Sequence, residues 1–312
     1  MEQSNKVTGG VAIMKNGELA YEKYIGYLSL ENKIRNNNLT KFRIASITKT
    51  FTATIIFQLI EEGRLTLETK LSNFYPQIPN SEEITIADLL GHRSGIHNYT
   101  DDKEFLNYMT TKKSKKEILQ FIAGPKPDFK PDQNFTYSNS NYVLLGFIIE
   151  DVTKSTYKKQ LEKRISSALQ LKNTTQGSDI NVHNNEAKSY DFHGGRWYSA
   201  REVSRTIVHG DGVIISTPND VNAFMTALFS QKLISESSLN QMKEGYGGRG
   251  LWKYTFSSKV AFGHSGRTGS FVLRSLFFPD ENVAVSVFTN GMNYNFDGML
   301  NNILSIYFKG ML

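Results

Sequence analysis

Phe42-Arg43-Ile44-Ala45-Ser46-Ile47-Thr48-Lys49-Thr50-Phe51-Thr52-Ala53 opens a long, strongly apolar helical pattern. Over residues 46–62, Phe51, Ile55 and Leu59 recur at helical spacing, and Gly63 follows as a C-cap. So apolar a helix belongs inside a core, and the segments on either side decide what kind of core. Upstream, 9–14 is a short apolar run and 19–27 is rich in aromatics and Ile, with Asn16-Gly17 between them. Two β-prone runs around Asn-Gly read as a hairpin. Asn36-Asn37-Asn38 then breaks the pattern.

Downstream the chain turns helical. Residues 85–92 read as a short helix capped by Thr85, with Asp88 in its first turn. Further helices are expected over 103–109, 114–123, 141–152 and 157–169, the last amphipathic. Gly124-Pro125-Lys126-Pro127 and Pro131-Asp132 form a stiff loop. Residues 172–200 are rich in Asn, Gly and Ser without a clear period, and are expected as an extended surface excursion. After helices at 220–230 and 235–242, strand chemistry returns at 252–256, 260–263, 271–278 and 283–289. Pro279-Asp280-Glu281-Asn282 makes the last turn, and a helix over 295–307 closes the chain. Strands at both ends with helices between predict a mixed α+β fold, not the alternation of a doubly wound sheet. The expectation is one domain, 1–312, with an antiparallel sheet built from N- and C-terminal strands and flanked by helices. Residues 1–64 plus 205–312 form its α/β part, and about 65–204 a mainly helical insert.

Composition narrows the function classes. With 312 residues, 39% hydrophobic and 21% charged, the chain is too apolar to be disordered and long enough for a large core. Lys and Arg number 36 against 30 Asp and Glu, a net charge of +6. The one dense basic run, Lys112, Lys113, Lys115 and Lys116, reads as a solvated helix face, so no nucleic-acid partner is expected. Zero cysteines exclude disulfides, thiolate metal sites and a Cys nucleophile. No apolar stretch approaches the roughly 18–20 residues of a membrane span. The opening Met1-Glu2-Gln3-Ser4-Asn5 is not a signal peptide, yet a chain trimmed behind an export signal starts the same way. Export to the periplasm or cell envelope is the expectation, with the cytoplasm as the alternative.

Three short motifs carry chemistry. On a helix, Ser46 and Lys49 share a face. A lysine stripped of water is a base able to take a serine's proton, and a helix start favours developing negative charge. Ser155-Thr156-Tyr157-Lys158 has the same spacing, but it opens a charged amphipathic helix. Tyr137-Ser138-Asn139 precedes the 141–152 helix. A tyrosine beside an ammonium has its phenolate favoured and can relay a proton, and the amide two residues on can hold a carbonyl. Gly263-His264-Ser265-Gly266 lies between strands. There Gly266 lets backbone pass close to a ligand, and His264 is a proton carrier or carboxylate anchor. Other readings fail. The six histidines show no His-Glu-x-x-His, so no metal is expected; Gly245–Gly250 lacks the strand-to-helix context of a phosphate cradle; Gly-x-Ser-x-Gly is absent.

Taken in order, Ser-x-x-Lys, Tyr-x-Asn and His-x-Gly resemble the penicillin-recognising serine hydrolases. The resemblance is to the branch of class C β-lactamases, D-alanyl-D-alanine carboxypeptidases and related esterases. The stretch 42–53 looks like that family's nucleophile segment. Ile84-Thr85-Ile86-Ala87-Asp88-Leu89-Leu90-Gly91-His92-Arg93-Ser94-Gly95-Ile96 resembles its helix-and-turn signature. Gly210-Asp211-Gly212-Val213-Ile214-Ile215-Ser216-Thr217-Pro218-Asn219-Asp220 is similar to its glycine-rich element. The resemblance implies Ser46 as acylated nucleophile, with Lys49 and Tyr137 as the coupled base system. Asn139, His264, Ser265, Gly266 and Arg267 would contact substrate, and the oxyanion hole would be the backbone N–H groups of Ser46 and Arg267. It implies no cofactor, and a D-amino-acid peptide, β-lactam, or small ester or amide as substrate. The alternative is a non-catalytic peptidoglycan- or β-lactam-binding sensor. A monomer is expected. Many β-lactamases carry Lys-Thr-Gly where this chain has His264-Ser265-Gly266. Efficient β-lactam hydrolysis is therefore in doubt, unless Arg267 faces the cleft and restores a positive charge. Residues 97–135 and 172–210 are expected to set specificity.

Overall fold

Asn16 and Gly17 both take positive φ, 54° and 83°, the geometry of a two-residue hairpin turn. In the computed structural model, which describes residues 6–310, this turn joins β1 (Val7–Lys15) to β2 (Glu18–Ile25). A small ladder follows, β3 (Tyr27–Ser29) with β4 (Ile34–Arg35). Next, β5 (Phe42–Arg43) feeds a 3-10 turn over Ala45–Ile47 and then α1 (Thr48–Glu61). Every residue of α1 from Thr48 to Leu59 except Gln58 is buried, so the helix runs through the core as its composition requires. Ser46 sits in the tight turn, two residues before the helix expected to begin with it.

Thr85 and Asp88 form a reciprocal capping box at the start of α2 (Ile86–Leu90). Then α3 (Phe105–Tyr108) is a single turn, and α4 (Lys115–Ala123) starts at a second capping box, Ser114 with Glu117. Lys112, Lys115 and Lys116 are exposed, as the charge run suggested. α5 (Asn139–Thr153) begins two residues earlier than the apolar pattern, which puts Asn139 in its first turn. The amphipathic helix expected over 157–169 is instead α6 (Tyr157–Leu161) running into a π-turn at Glu162–Ser166.

Residues 172–200 are more than a surface excursion. β6 (Thr175–Gln176) lies on one side, and β7 (Tyr190–His193) with β8 (Arg196–Ser199) makes a hairpin. Tyr190 pairs in parallel with Gly291 of the main sheet, while Ala187, Ser189 and Tyr190 are buried. The sequence hid this because Ser189 and Glu186 are polar yet buried, so no apolar period marks the inward face.

The rest of the chain is β9 (Ile214–Ser216), which was not expected, then α7 (Pro218–Phe229), α8 (Glu236–Lys243), β10 (Trp252–Phe256), β11 (Lys259–Thr268), β12 (Phe271–Phe278), β13 (Val283–Met292) and α9 (Phe296–Phe308). From α7 onward the pattern holds, except that β11 runs on through Gly263–Gly266, expected to lie between strands, because those residues pair with β12. The main sheet runs β10-β11-β12-β13-β1-β2, antiparallel along this path, so the two ends of the chain share one sheet. β5, β9 and β6 form a separate three-stranded sheet. One face of the main sheet packs under α9 through Leu276, Val285, Met299 and Leu304. The other contributes Phe271, Leu273 and Phe288 to the larger core around α1 and α7, where Phe51 stacks on Phe224 at 3.7 Å.

Two features of this sheet place the site. Pairing between β10 and β11 ends at Trp252 with Gly263, so the stretch from His264 to Thr268 is not covered by β10. Gly266 then lies directly on the turn holding Ser46: a Cβ there would stand 2.4 Å from the Ile44 carbonyl oxygen. Only glycine permits that approach.

Candidate active site

Ala45, the residue before Ser46, has φ 47°, a left-handed backbone that alanine rarely adopts and that costs about 1–3 kcal/mol. The strain turns Ser46 out of the core while Lys49, three residues on, points in. Lys49 is fully buried. Its Nζ lies 3.0 Å from Ser46 Oγ, 2.8 Å from Asn139 Oδ1 and 2.9 Å from the main-chain oxygen of Asp211. Burial pushes the Lys49 amine down to about 8, with Asp211 opposing that shift. As a free amine, Lys49 donates two N–H groups to Asn139 and Asp211 and turns its lone pair on Ser46 Oγ.

Tyr137 approaches Ser46 from the opposite side, donating its hydroxyl to Oγ at 2.8 Å. The expected phenolate is not what the geometry favours. Burial holds the phenol well above its usual range, with only the hydrogen bond to Ser46 opposing, and Lys49 Nζ sits 5.0 Å from the ring centre. Tyr137 is thus a protonated donor in the resting site. Asn139 has both ends of its amide engaged: Oδ1 accepts from Lys49, and Nδ2 donates to Thr100 Oγ1 at 3.0 Å. In the resting site its amide thus bridges Lys49 and Thr100.

His264 also corrects an expectation. It is buried, with Nδ1 2.6 Å from the Ser265 carbonyl oxygen, and Nε2 has no partner among the described residues. Burial first, then the charge of Lys49, pushes its pKa down to about 3. A ring that stays neutral at physiological pH does not anchor a carboxylate by charge. Ser265 and Arg267 beside it are exposed, and all three line a cleft of about 540 Å³ with Ser46, Tyr137 and Asn139.

Sequence reasoning missed several neighbours. Arg274 lies opposite Ser265 in the β11–β12 register and lines the same cleft, with its guanidinium 4.9 Å from the Tyr254 ring centre and 3.2 Å from Asp297 Oδ1. The hairpin register could have found it. Trp252 and Tyr254, at the start of β10, form a further wall of the cleft. His92 packs against Tyr137 at 4.5 Å and takes the Ser138 N–H on Nδ1, held neutral by burial. Ser155 and Lys158, the rival pair, stand apart from this cleft, with Lys158 beside Glu162 at 3.9 Å. Among the described residues, no group of three His, Asp or Glu side chains is placed to hold a metal.

A serine in the turn before a core helix, a buried lysine three residues on and a tyrosine hydroxyl on the serine, all set against β11 of an antiparallel sheet, define the serine–lysine class of β-lactamase-fold proteins. A family profile described as Beta-lactamase matches residues 1–306, and the chain belongs to that family. It is 27% identical over 260 residues to the teichoic acid D-alanine hydrolase of Staphylococcus aureus, covering 82% of this chain. The chain spans 64% of the length of that relative. A D-stereospecific amidohydrolase from Streptomyces sp. superposes with a TM-score of 0.80 at 27% identity, over 94% of this chain and 92% of that one. A penicillin binding protein from Bacillus halodurans superposes with a TM-score of 0.87 at 25% identity, over 98% of this chain and 97% of that one. The mixed α+β architecture is therefore that of the β-lactamase and penicillin-binding proteins. Among the described residues, no helix is long and apolar enough to cross a membrane.

Proposed function

We propose that the chain is a serine hydrolase that forms an acyl-enzyme on Ser46 and cleaves an ester or amide of a D-amino acid. The observation that carries this reading is the Lys49–Ser46 contact at 3.0 Å, with the other two donor directions of Lys49 already satisfied. Neutral Lys49 takes the Ser46 proton as Oγ bonds to the carbonyl carbon. The oxyanion forms between the N–H groups of Ser46 and Arg267. As the tetrahedral intermediate collapses, the bond to the leaving group breaks and that group receives the proton held by Lys49, relayed through the Tyr137 hydroxyl, which leaves Lys49 neutral again. Water then attacks the acyl ester as Lys49 takes its proton, and when this second intermediate collapses Lys49 returns that proton to Ser46 Oγ, which releases the acid and restores both groups.

The substrate half of the reading leans on the D-amino-acid chemistry named in the Staphylococcus and Streptomyces relatives. The neutral His264 supplies no permanent charge for a substrate carboxylate, so Arg267, exposed on the same cleft, is the group that would meet one. The teichoic acid in the Staphylococcus name supports work at the cell envelope on a small-molecule or peptide-like substrate. Each catalytic group named comes from one chain, so a monomer suffices.

The test is intact mass against time with benzylpenicillin and with a D-phenylalanine ester, wild type beside Ser46→Ala, together with turnover of D- and L-amino-acid amides. Adducts and D-selective turnover in the wild type alone are expected. Undiminished turnover in Ser46→Ala overturns the mechanism. A stable stoichiometric adduct without turnover replaces the hydrolase with a binding protein.

A further inference from the structure

Asp211 offers its main-chain oxygen to Lys49, and the reaction above leaves its carboxylate unused. That side chain is buried, 4% exposed, in the segment before β9. Oδ1 accepts the His209 backbone N–H at 2.7 Å, and Oδ2 takes the Tyr99 hydroxyl at 3.3 Å. The next carbonyl, that of Gly212, is held by Arg205 Nη1 at 3.1 Å. The residue is thus fixed through its side chain and through the peptide that follows it.

The groups facing Lys49 come from several elements. Tyr137 and Tyr142 present their rings at 5.0 and 5.6 Å, and His92 and His264 are both held neutral by burial. The acidic residue in contact with Nζ is Asp211, whose own main-chain oxygen lies 2.9 Å from it, and its negative charge favours the ammonium. In a desolvated pocket a lone ammonium is penalised, and a fixed carboxylate offsets that penalty. The ammonium is the form Lys49 takes when it accepts the Ser46 proton.

We infer that Asp211 is a positioning residue whose carboxylate stabilises the Lys49 ammonium and so sets the pH range and the speed of serine attack. The inference rests on the acyl-transfer reading of Ser46 and Lys49. Without the carboxylate, Lys49 loses its proton at lower pH. The acid limb of the attack moves down, while the plateau slows because the ammonium formed on proton transfer is less stable.

The experiment follows labelling of Ser46 in the full chain by an alkyl fluorophosphonate, read as intact mass between pH 5 and 10. In that step Oγ bonds to phosphorus, the P–F bond breaks, Lys49 takes the serine proton and fluoride leaves. Asp211→Asn keeps an oxygen for the His209 N–H but removes the charge. It should lower the acid limb by about one pH unit, a tenfold change in the amine's protonation ratio. Its plateau should slow severalfold. Asp211→Ala provides the same reading if the Asn variant does not fold, and Asp211→Glu should return the limb toward the wild type. A purely structural role would lower the unfolding temperature and leave the limb in place; superposable limbs in a folded neutral variant overturn the inference. No labelling of wild-type Ser46 at any pH overturns the acyl-transfer reading itself.

Discussion

Tyr137 Oη donates to Ser46 Oγ across 2.8 Å, so the nucleophile accepts a hydrogen bond from the tyrosine on the side opposite its base. The arrangement orients the serine, because with Tyr137 filling one lone pair the Ser46 hydrogen is directed at Lys49 once that amine is free. A phenol kept protonated by burial is a poor base and a good relay.

Tyr137→Phe should therefore lower the acylation rate about 100- to 10,000-fold while the acid limb stays near pH 8, where Lys49 sets it. Stopped-flow acylation with a D-amino-acid ester across pH 6–10 measures both. Were Tyr137 the base, the limb would disappear along with the rate.

Lys49 carries a stability signature separable from its activity. Its folded pKa of about 8 lies below the usual lysine value of 10.5. Between those pH values the unfolded chain binds more protons than the folded one, so stability rises with pH across that window. Below pH 8 both states are protonated and the penalty is constant. Lys49→Met removes the group, so the wild type should gain about 3 kcal/mol on the variant from pH 7.5 to 10.5. Urea midpoints of the two proteins at both pH values read this directly, since the other lysines cancel. Turnover of the variant should be lost by about 100-fold or more; a pH-independent stability difference would show that Lys49 is not desolvated.

Much of this architecture was legible in the sequence for identifiable reasons. Asn16-Gly17, the Thr85–Asp88 cap and the apolar runs of β12 and β13 act locally, and each appears where its residues predict. Ser46, Lys49, Tyr137 and Asn139 converge because short motifs fix their own helix starts. The state of those groups was not legible. The low pKa values of His264 and Lys49 and the high one of Tyr137 come from burial by distant segments, which spacing along the chain does not report. The β7–β8 hairpin was missed for a related reason, because the residues it buries include Glu186 and Ser189. Arg274 reaches the cleft only through its cross-strand position opposite Ser265.

Charge selectivity should reside in Arg267 and Arg274, given the neutral His264. Arg267 is exposed on the cleft wall, whereas Arg274 is partly spent on Asp297. Arg267→Ala should raise KM about tenfold for substrates with a free carboxylate, the worth of one charge-assisted hydrogen bond. Neutral esters should be unaffected within about twofold. Arg274→Ala should cost less. Lowering the pH from 7.5 to 5.5 should not rescue either variant, because His264 does not gain a proton in that range. Equal losses on acidic and neutral substrates would remove Arg267 from substrate recognition.

The closeness of β11 to the nucleophile turn makes Gly266 a mechanical test of the site. A Cβ at Gly266 would meet the Ile44 carbonyl oxygen at 2.4 Å and Leu273 Cδ1 at 3.3 Å. The first of these is backbone and has no rotamer by which to yield, so the strand must move off the turn. Overpacking of this kind costs about 1–3 kcal/mol, which a domain with a core of this size survives. The displacement acts where Ser46 and the N–H of Arg267 must converge on one oxygen, and a shift of about 1 Å costs on the order of 100-fold in rate. Gly266→Ala should thus remain folded, lose activity about 100-fold, and show the loss in kcat more than in KM. Gly212→Ala is the control. Its added Cβ would meet nothing closer than Val208 Cβ at 3.7 Å, an ordinary contact, and its stability should stay within about 0.5 kcal/mol of the wild type. Full activity in Gly266→Ala would mean that β11 does not set the position of the reacting carbonyl.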